Sequence, residues 1–181
     1  MAAYPGSYAA EKLTSGEALF SRAITVNEIG LVSGRLHLTY WTAVTTGTAD
    51  HVLTATGATA AATVTYAAVG LYAVNADGSL SLAGQTADLH ASLWGLTFAN
   101  YNSVLAAAFP RSAGSRYAMG LLCVGTTMPT IVGADPYGAF TNVAPTMSSY
   151  LDGLSVLPQS VTAAQVASGG DHLLYEAVVS P

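Results

Sequence analysis

Short apolar runs, broken repeatedly by turn residues, leave this chain little choice of architecture. About eight to ten such runs recur at intervals of about 8–12 residues, and none has the length or the 3.6-residue period of a substantial helix. Residues 20–28 read as a first strand centred on Ala23, Ile24, Thr25 and Val26. Residues 36–44 are rich in β-branched and aromatic side chains, with Leu36, Leu38, Tyr40 and Val44 on one face. Residues 51–56 form a weaker run. Residues 64–74 are apolar on both faces, which predicts a central strand covered on either side.

Asn75-Ala76-Asp77-Gly78 supplies turn chemistry, because Gly78 is free to take a positive φ. Beyond it Leu80 and Leu82 alternate with Ser79, Ser81 and Ala83, so a β-hairpin is predicted here. Further strands are expected at 93–98, 103–109, 116–124 and 129–132, with residues 110–115 as a turn. Alanine-rich pieces (Ala60-Ala61-Ala62, Ala67-Ala68 and Ala106-Ala107-Ala108) suit close sheet packing. Residues 133–170 hold recurrent Pro, Gly, Asn and Ser with poor periodicity, so a long irregular excursion is expected, with one helical turn near 160–166. The chain closes on a strand at 172–179, with Leu173, Tyr175, Ala177 and Val179 on one face.

Such a series of strands is satisfied by an all-β fold, an antiparallel two-sheet β-sandwich of jelly-roll type. Residues 1–17 stand apart as an N-terminal arm or linker, with a helical turn at 9–13, and residues 18–181 form the sandwich domain. The arm has two readings, a frayed terminus or a segment that docks on a neighbouring subunit.

Charge narrows the function classes. The chain carries 5 Lys and Arg against 10 Asp and Glu, and 8% of its residues are charged, where an ordinary soluble domain has about 25%. Its surface must be built from Thr, Ser, Gly, Ala and Tyr, which suits permanent contact with other chains. The net charge of −5 and pI near 5.0 argue against nucleic acid, which calls for clustered basic residues. Mean hydropathy is +0.44, yet the apolar stretches are interrupted well before the ~20 residues of a spanning helix, so no membrane insertion is expected. The first sixteen residues lack a basic region followed by an apolar run, so no secretory signal is expected. Cys123, the sole cysteine, sits in an apolar run and reads as a core residue with no disulfide partner.

Asp50-His51, Asp88-Leu89-His90 and Asp171-His172 each set a carboxylate beside an imidazole. A metal site needs three or four converging ligands, so these pairs read as local hydrogen bonding, and no metal or other cofactor is expected. His37 lies opposite the apolar face of its strand and reads as packed or at a subunit contact. The nucleophile elbow Gly-x-Ser-x-Gly and phosphate-cradling glycine loops are absent. The acids lie mainly in turns and in the arm, which does not suggest an opposed catalytic pair. No catalytic residue is assigned, and the chain is not expected to be an enzyme.

Aromatic residues carry the remaining options. Tyr40, Trp41, Trp94, Phe98 and Tyr101 are either core and interface anchors or a platform for a sugar ring. The segment from Trp94 to Tyr101 lies near a Gly/Asn loop, and Tyr137 and Phe140 lie in a second loop, 135–140. Trp94, Tyr101, Tyr137 and Phe140 are the candidate glycan or partner contacts.

Several phrases carry a resemblance. Residues 18–43 (ALFSRAITVNEIGLVSGRLHLTYWTA), 69–80 (VGLYAVNADGSL), 114–120 (GSRYAMG), Met128-Pro129-Thr130, Leu157-Pro158 and Leu174-Tyr175 are similar to a β-sandwich domain of tailed phages of actinobacteria, one found in virion proteins called minor tail proteins. The resemblance spans about residues 18–181 and carries no catalytic motif. It implies a jelly-roll-like module, assembled as a homo-oligomer, expectedly a trimer, on the particle surface. Its partners would be itself, other virion proteins and a host-surface glycan. In many relatives the module ends a long glycine-rich fibre, which this sequence lacks, so a head-decorating capsid protein is the alternative station. A carbohydrate-binding module is the alternative of another class.

Overall fold

The computed structural model describes residues 11–13, 16–18, 27–134, 147–168, 173–174 and 176–179. Among them the chain forms, in order, β1 (Glu11–Leu13), β2 (Gly16–Ala18), β3 (Asn27–Gly30), β4 (Leu36–Thr42), β5 (Gly47–Ala55), β6 (Ala62–Val74), β7 (Leu80–Gln85) and β8 (Asn100–Arg111). There follow β9 (Arg116–Thr127), β10 (Thr130–Ala134), β11 (Ser148–Leu151), β12 (Ser160–Val161), β13 (Ala167–Ser168), β14 (Leu173–Leu174) and β15 (Glu176–Val179). A seven-stranded sheet runs β12-β7-β6-β9-β4-β11-β13, a five-stranded sheet β1-β2-β15-β5-β8, and a three-stranded sheet β14-β10-β3. Every pairing is antiparallel. The fold is an all-β sandwich, as the spacing of apolar runs predicts. No helix among the described residues is long and apolar enough to cross a membrane.

The main core lies between the sheets. Val69 and Leu71 of β6, Met119 and Leu121 of β9 and Trp41 of β4 meet Val52 of β5, Phe109 of β8, Ile131 of β10, Leu174 and Val178. Tyr117 joins two aromatic contacts here, with Trp41 (ring centroids 5.4 Å apart) and edge-on with Phe109 (5.1 Å). Cys123 is fully buried in this layer, and desolvation pushes its thiol up to about 11.

The seven-stranded sheet is also closed on its outer face. Leu36, Leu38, Ala68, Tyr72, Leu80, Ala118 and Leu122 form a second apolar layer beneath Leu154, Leu157, Val161 and Val166. The central stretch of β6, residues 67–72, is therefore buried on both faces. Residues 152–166 cross this face and are tied to it: the Leu154 N–H donates to the Gly34 carbonyl (2.9 Å), the Leu157 N–H to the Tyr66 hydroxyl (3.3 Å) and the Tyr72 hydroxyl to the Pro158 carbonyl (3.2 Å). Room for the Tyr72 ring comes from two glycines paired across β6 and β9, Gly70 and Gly120. A Cβ on Gly120 would stand 2.7 Å from Leu36 Cδ1, and one on Gly70 2.9 Å from Tyr72 Cε2. Where this segment begins, Arg35 grips Asp152 through Nε (2.6 Å) and a terminal nitrogen (2.9 Å), with its guanidinium 4.1 Å from the Tyr150 ring centroid.

The Asn75–Gly78 hairpin forms as predicted between β6 and β7, with Gly78 at φ +81° and Asp77 accepting from the Ser79 N–H. The expected helical turn near 160–166 is a 3-10 turn, Ala163–Gln165, with Gln165 accepting from the Thr162 N–H (2.8 Å).

Other expectations need correction. Residues 93–98 are not a strand, because Trp94 (φ +60°) and Phe98 (φ +49°) occupy left-handed backbone. The irregular excursion contains β11, whose Ser149 pairs with Leu38 of β4. Val44 falls beyond β4 and is exposed. The closing strand is described as two pieces, β14 and β15, which enter different sheets; of its side chains that are described, Leu174 and Val178 are buried, and neither belongs to the expected face. Ala67 and Ala68 are buried on opposite faces, but Ala106, Ala107 and Ala108 are exposed. Between the pairs Ala49–Phe109 and His51–Val104, β5 has one residue, Asp50, and β8 has four, Leu105 to Ala108, so this alanine run bulges away from its neighbour.

Residues 11–13 are strand, not a helical turn, and β2 pairs with β15, so the expected arm boundary at residue 17 falls inside a sheet strand. The rest of the arm and the centre of the expected strand at 20–28 lie outside the described residues.

Candidate functional site

The segment from Thr86 to Val104 brings a core anchor and an exposed apolar tip onto one short stretch of chain. It leaves β7 and continues along β6: the Thr86 N–H donates to the Val69 carbonyl (3.0 Å), and the Leu89 N–H to the Ala67 carbonyl (2.8 Å). A tight turn follows, with the Ser92 and Leu93 N–H groups both donating to the Leu89 carbonyl. Leu93 and Trp94 then enter the core. Trp94 is 0% exposed, and its indole N–H donates to Thr54 Oγ1 of β5 (2.9 Å). Its ring has no face open to a sugar. The expected glycan or partner contact at Trp94 is corrected to a core anchor, whose burial offsets its left-handed backbone.

After Gly95 the chain turns outward. Leu96 is 67% exposed and Phe98 74% exposed. Their backbone is nonetheless held from several sides. Thr56 Oγ1 donates to the Leu96 carbonyl (2.7 Å) and accepts from the Ala99 N–H (3.0 Å), while the Thr56 N–H donates to the Ala99 carbonyl (2.9 Å). The Phe98 N–H donates to the Gly57 carbonyl (2.9 Å), and the Leu96 N–H to the Tyr101 hydroxyl (2.7 Å). Tyr101, another expected contact, is thus half-buried and braces the tip through its oxygen.

Phe98 differs from Trp94 in one respect that bears on function. A bulky residue in left-handed backbone costs on the order of 1–3 kcal/mol. At Trp94 the indole is buried; at Phe98 the ring stands in solvent, so burial within this chain does not offset the cost. Beyond the tip, β8 alternates cleanly: Ser103 and Leu105 point inward and are buried, while Asn100, Asn102 and Val104 point outward, Val104 at 62% exposure. On β5 their register partners are Ala55, Leu53 and His51.

The electrostatics are sparse. From Leu89 to Pro110 the sequence holds no Lys, Arg, Asp or Glu. At the rim, Asp88 accepts from the Ala67 N–H and the His90 N–H (both 3.1 Å) and meets His90 Nδ1 (3.0 Å). Partial burial would raise the Asp88 carboxyl, but these hydrogen bonds and the imidazole outweigh it and hold it below its ordinary value. Asp50 Oδ1 lies 2.6 Å from His51 Nδ1. Both acid–histidine pairs act locally, as their spacing predicts, and no group of three or more His, Cys, Asp or Glu assembles among the described residues. His37 accepts from the Val32 N–H at Nε2 (3.1 Å). Tyr137 and Phe140, and the pair Asp171-His172, lie outside the described residues.

Leu96 and Val104 were not legible as surface residues in the sequence. The Gly/Asn flanks of 95–102 mark a loop, but nothing local tells an exposed Leu from a buried one. No family model and no curated protein matches the chain.

Proposed function

We propose that this chain is a structural, non-enzymatic β-sandwich subunit of a tailed-phage particle, of jelly-roll type, carried on the tail or its tip as a homo-oligomer, expectedly a trimer. The observation that carries the reading is the surface around Leu96 and Phe98. It is uncharged, apolar-tipped and braced by hydrogen bonds on a chain with 8% charged residues. A face of that kind binds through apolar area and shape rather than ion pairs. The phrases at 18–43, 69–80 and 114–120, which are similar to those of phage minor tail proteins, give the setting. The acid–histidine pairs favour a structural part, since the Asp88 carboxylate is engaged by backbone N–H groups of its own fold.

The test is to mix purified protein with tailed-phage particles that lack it and to image them by cryo-electron microscopy. Docking at a fixed tail position is expected. Docking on the head would replace the tail station with capsid decoration, and no association with particles would overturn the virion reading.

A further inference from the structure

We propose that Asp77 is a site of spontaneous isoaspartate formation, at which the side chain closes on the Gly78 nitrogen and reroutes the backbone at the tip of the β6–β7 hairpin. The inference stands apart from the function proposed above.

The sequence holds the dipeptide Asp-Gly twice, at Asp77-Gly78 and at Asp152-Gly153. Glycine has no side chain to crowd the five-membered ring that such a closure forms. Both aspartates are exposed, and both glycines have positive φ, +81° and +79°. Hydrogen bonds hold both carboxyls below their ordinary value, from Ser79 at Asp77 and from Arg35 at Asp152. Exposure, backbone and acidity therefore do not separate the two sites. The direction in which each carboxyl is held does.

At Asp152 both oxygens are engaged by Arg35, Oδ1 by Nε (2.6 Å) and Oδ2 by a terminal nitrogen (2.9 Å). A carboxylate pinned by two charged bonds to a distant stretch of chain is withheld from its own backbone. At Asp77 the carboxyl folds along its own chain instead. Its Oδ1 accepts from the Ser79 N–H (3.0 Å) and from the Ser79 hydroxyl (2.6 Å). An oxygen bonded two residues ahead sets the carboxyl carbon over the intervening peptide, whose nitrogen is that of Gly78. The reacting groups are thus held together in advance. The two donors on Oδ1 also stabilise the negative charge it gathers as the carboxyl carbon becomes tetrahedral.

In the first step, from the protonated carboxyl, the Gly78 nitrogen bonds to Cγ and Oδ2 leaves as water, carrying its own proton and the amide proton of Gly78. That N–H now donates to the Asn75 carbonyl (3.0 Å), a bond that opens as the ring closes. In the second step water adds to the main-chain carbonyl of the ring and breaks its bond to the Gly78 nitrogen. The chain then runs through Cγ, with its composition unchanged and one more carbon in the backbone. The turn is closed by the Asn75 N–H on the Ser79 carbonyl (2.8 Å) and the Gly78 N–H on the Asn75 carbonyl, and the added carbon pulls these out of register. A Cβ on Gly78 would stand 3.4 Å from Ala163 Cβ, so the altered tip lies beside the covering segment.

The experiment ages the folded full chain in mildly acidic buffer made with heavy-oxygen water. Peptide mass mapping reads the heavy oxygen, and labelling by an isoaspartyl methyltransferase reads the rerouted linkage. The Asp77 peptide is expected to convert at least about tenfold faster than the Asp152 peptide. In the chain unfolded in urea the two are expected to convert at similar rates. Arg35→Gln frees the Asp152 carboxyl and should raise conversion there while leaving Asp77 unchanged. Equal rates at the two sites in the folded chain, or no conversion at Asp77, overturn the proposal. An excess at Asp77 that persists unaltered in urea overturns the turn geometry as its cause. An inert Asp152 in folded Arg35→Gln overturns the clamp as the source of the contrast; should that variant fail to fold, the folded and unfolded wild type decide the matter between them.

Discussion

The outer face of the seven-stranded sheet and that of the β5–β8 pair are built by the same strand alternation and end in opposite conditions. On the first, Leu36, Leu38, Tyr72 and Leu122 lie under residues 152–166 and are buried. On the second, Val104 is exposed and Asn100 and Asn102 stand beside it. The strands do not decide this difference. It is decided by whether another stretch of chain brings Leu154, Leu157, Val161 and Val166 across the face. An apolar outward position thus has no fixed meaning within a sheet, and its energetic weight depends on what lies above it.

That contrast can be broken by substitution. Leu157→Ala removes the centre of the cover and should cost about 2–5 kcal/mol in urea or thermal unfolding; a cost near zero would mean that the segment rests on the sheet without holding it. Gly120→Ala places a methyl against Leu36, Leu38 and Tyr72 and should cost about 1–3 kcal/mol, read in the same way. Asp152→Asn releases Arg35 at the start of the segment. Because the pair is partly exposed, the loss at neutral pH should be at most about 1 kcal/mol.

The Arg35 hydrogen bond lowers the Asp152 carboxyl from its ordinary value. Its contribution is therefore complete above the ordinary carboxylate range and fades as pH falls through the lowered one. Unfolding curves of wild type and Asp152→Asn should accordingly converge in acid. On the other face, Val104→Thr should shift stability by no more than about 0.5 kcal/mol, and a larger loss would show that Val104 is packed after all.

How much of this was readable in the sequence follows the range of the forces involved. The hairpin at Asn75–Gly78 was legible because a turn is written in adjacent residues, and the two-sided burial of β6 because its apolar run is unbroken. The loop at 93–98 read as a strand because Leu-Trp-Gly-Leu-Thr-Phe alternates convincingly. What turns it outward is Thr56, some forty positions upstream. The same limit separates Ala67-Ala68, packed on two faces, from Ala106-Ala107-Ala108, displaced by the bulge opposite Asp50. Identical residues part company there through register, which no local pattern records. Of the candidate contacts, Tyr101 proved to be a brace and Trp94 a core residue, while the exposed tip between them fell to Leu96 and Phe98.

The covering segment also sets an order of events during synthesis. Arg35 and Asp152 are 117 positions apart in the chain, so β4 and β6 leave the ribosome well before the residues that shield their outer side. Contacts of such long sequence separation form slowly. Until they form, a broad tyrosine- and leucine-rich surface is open to the wrong neighbour. The nascent chain is most prone to aggregate in that interval, and most in need of a chaperone, although the finished protein hides most of the surface.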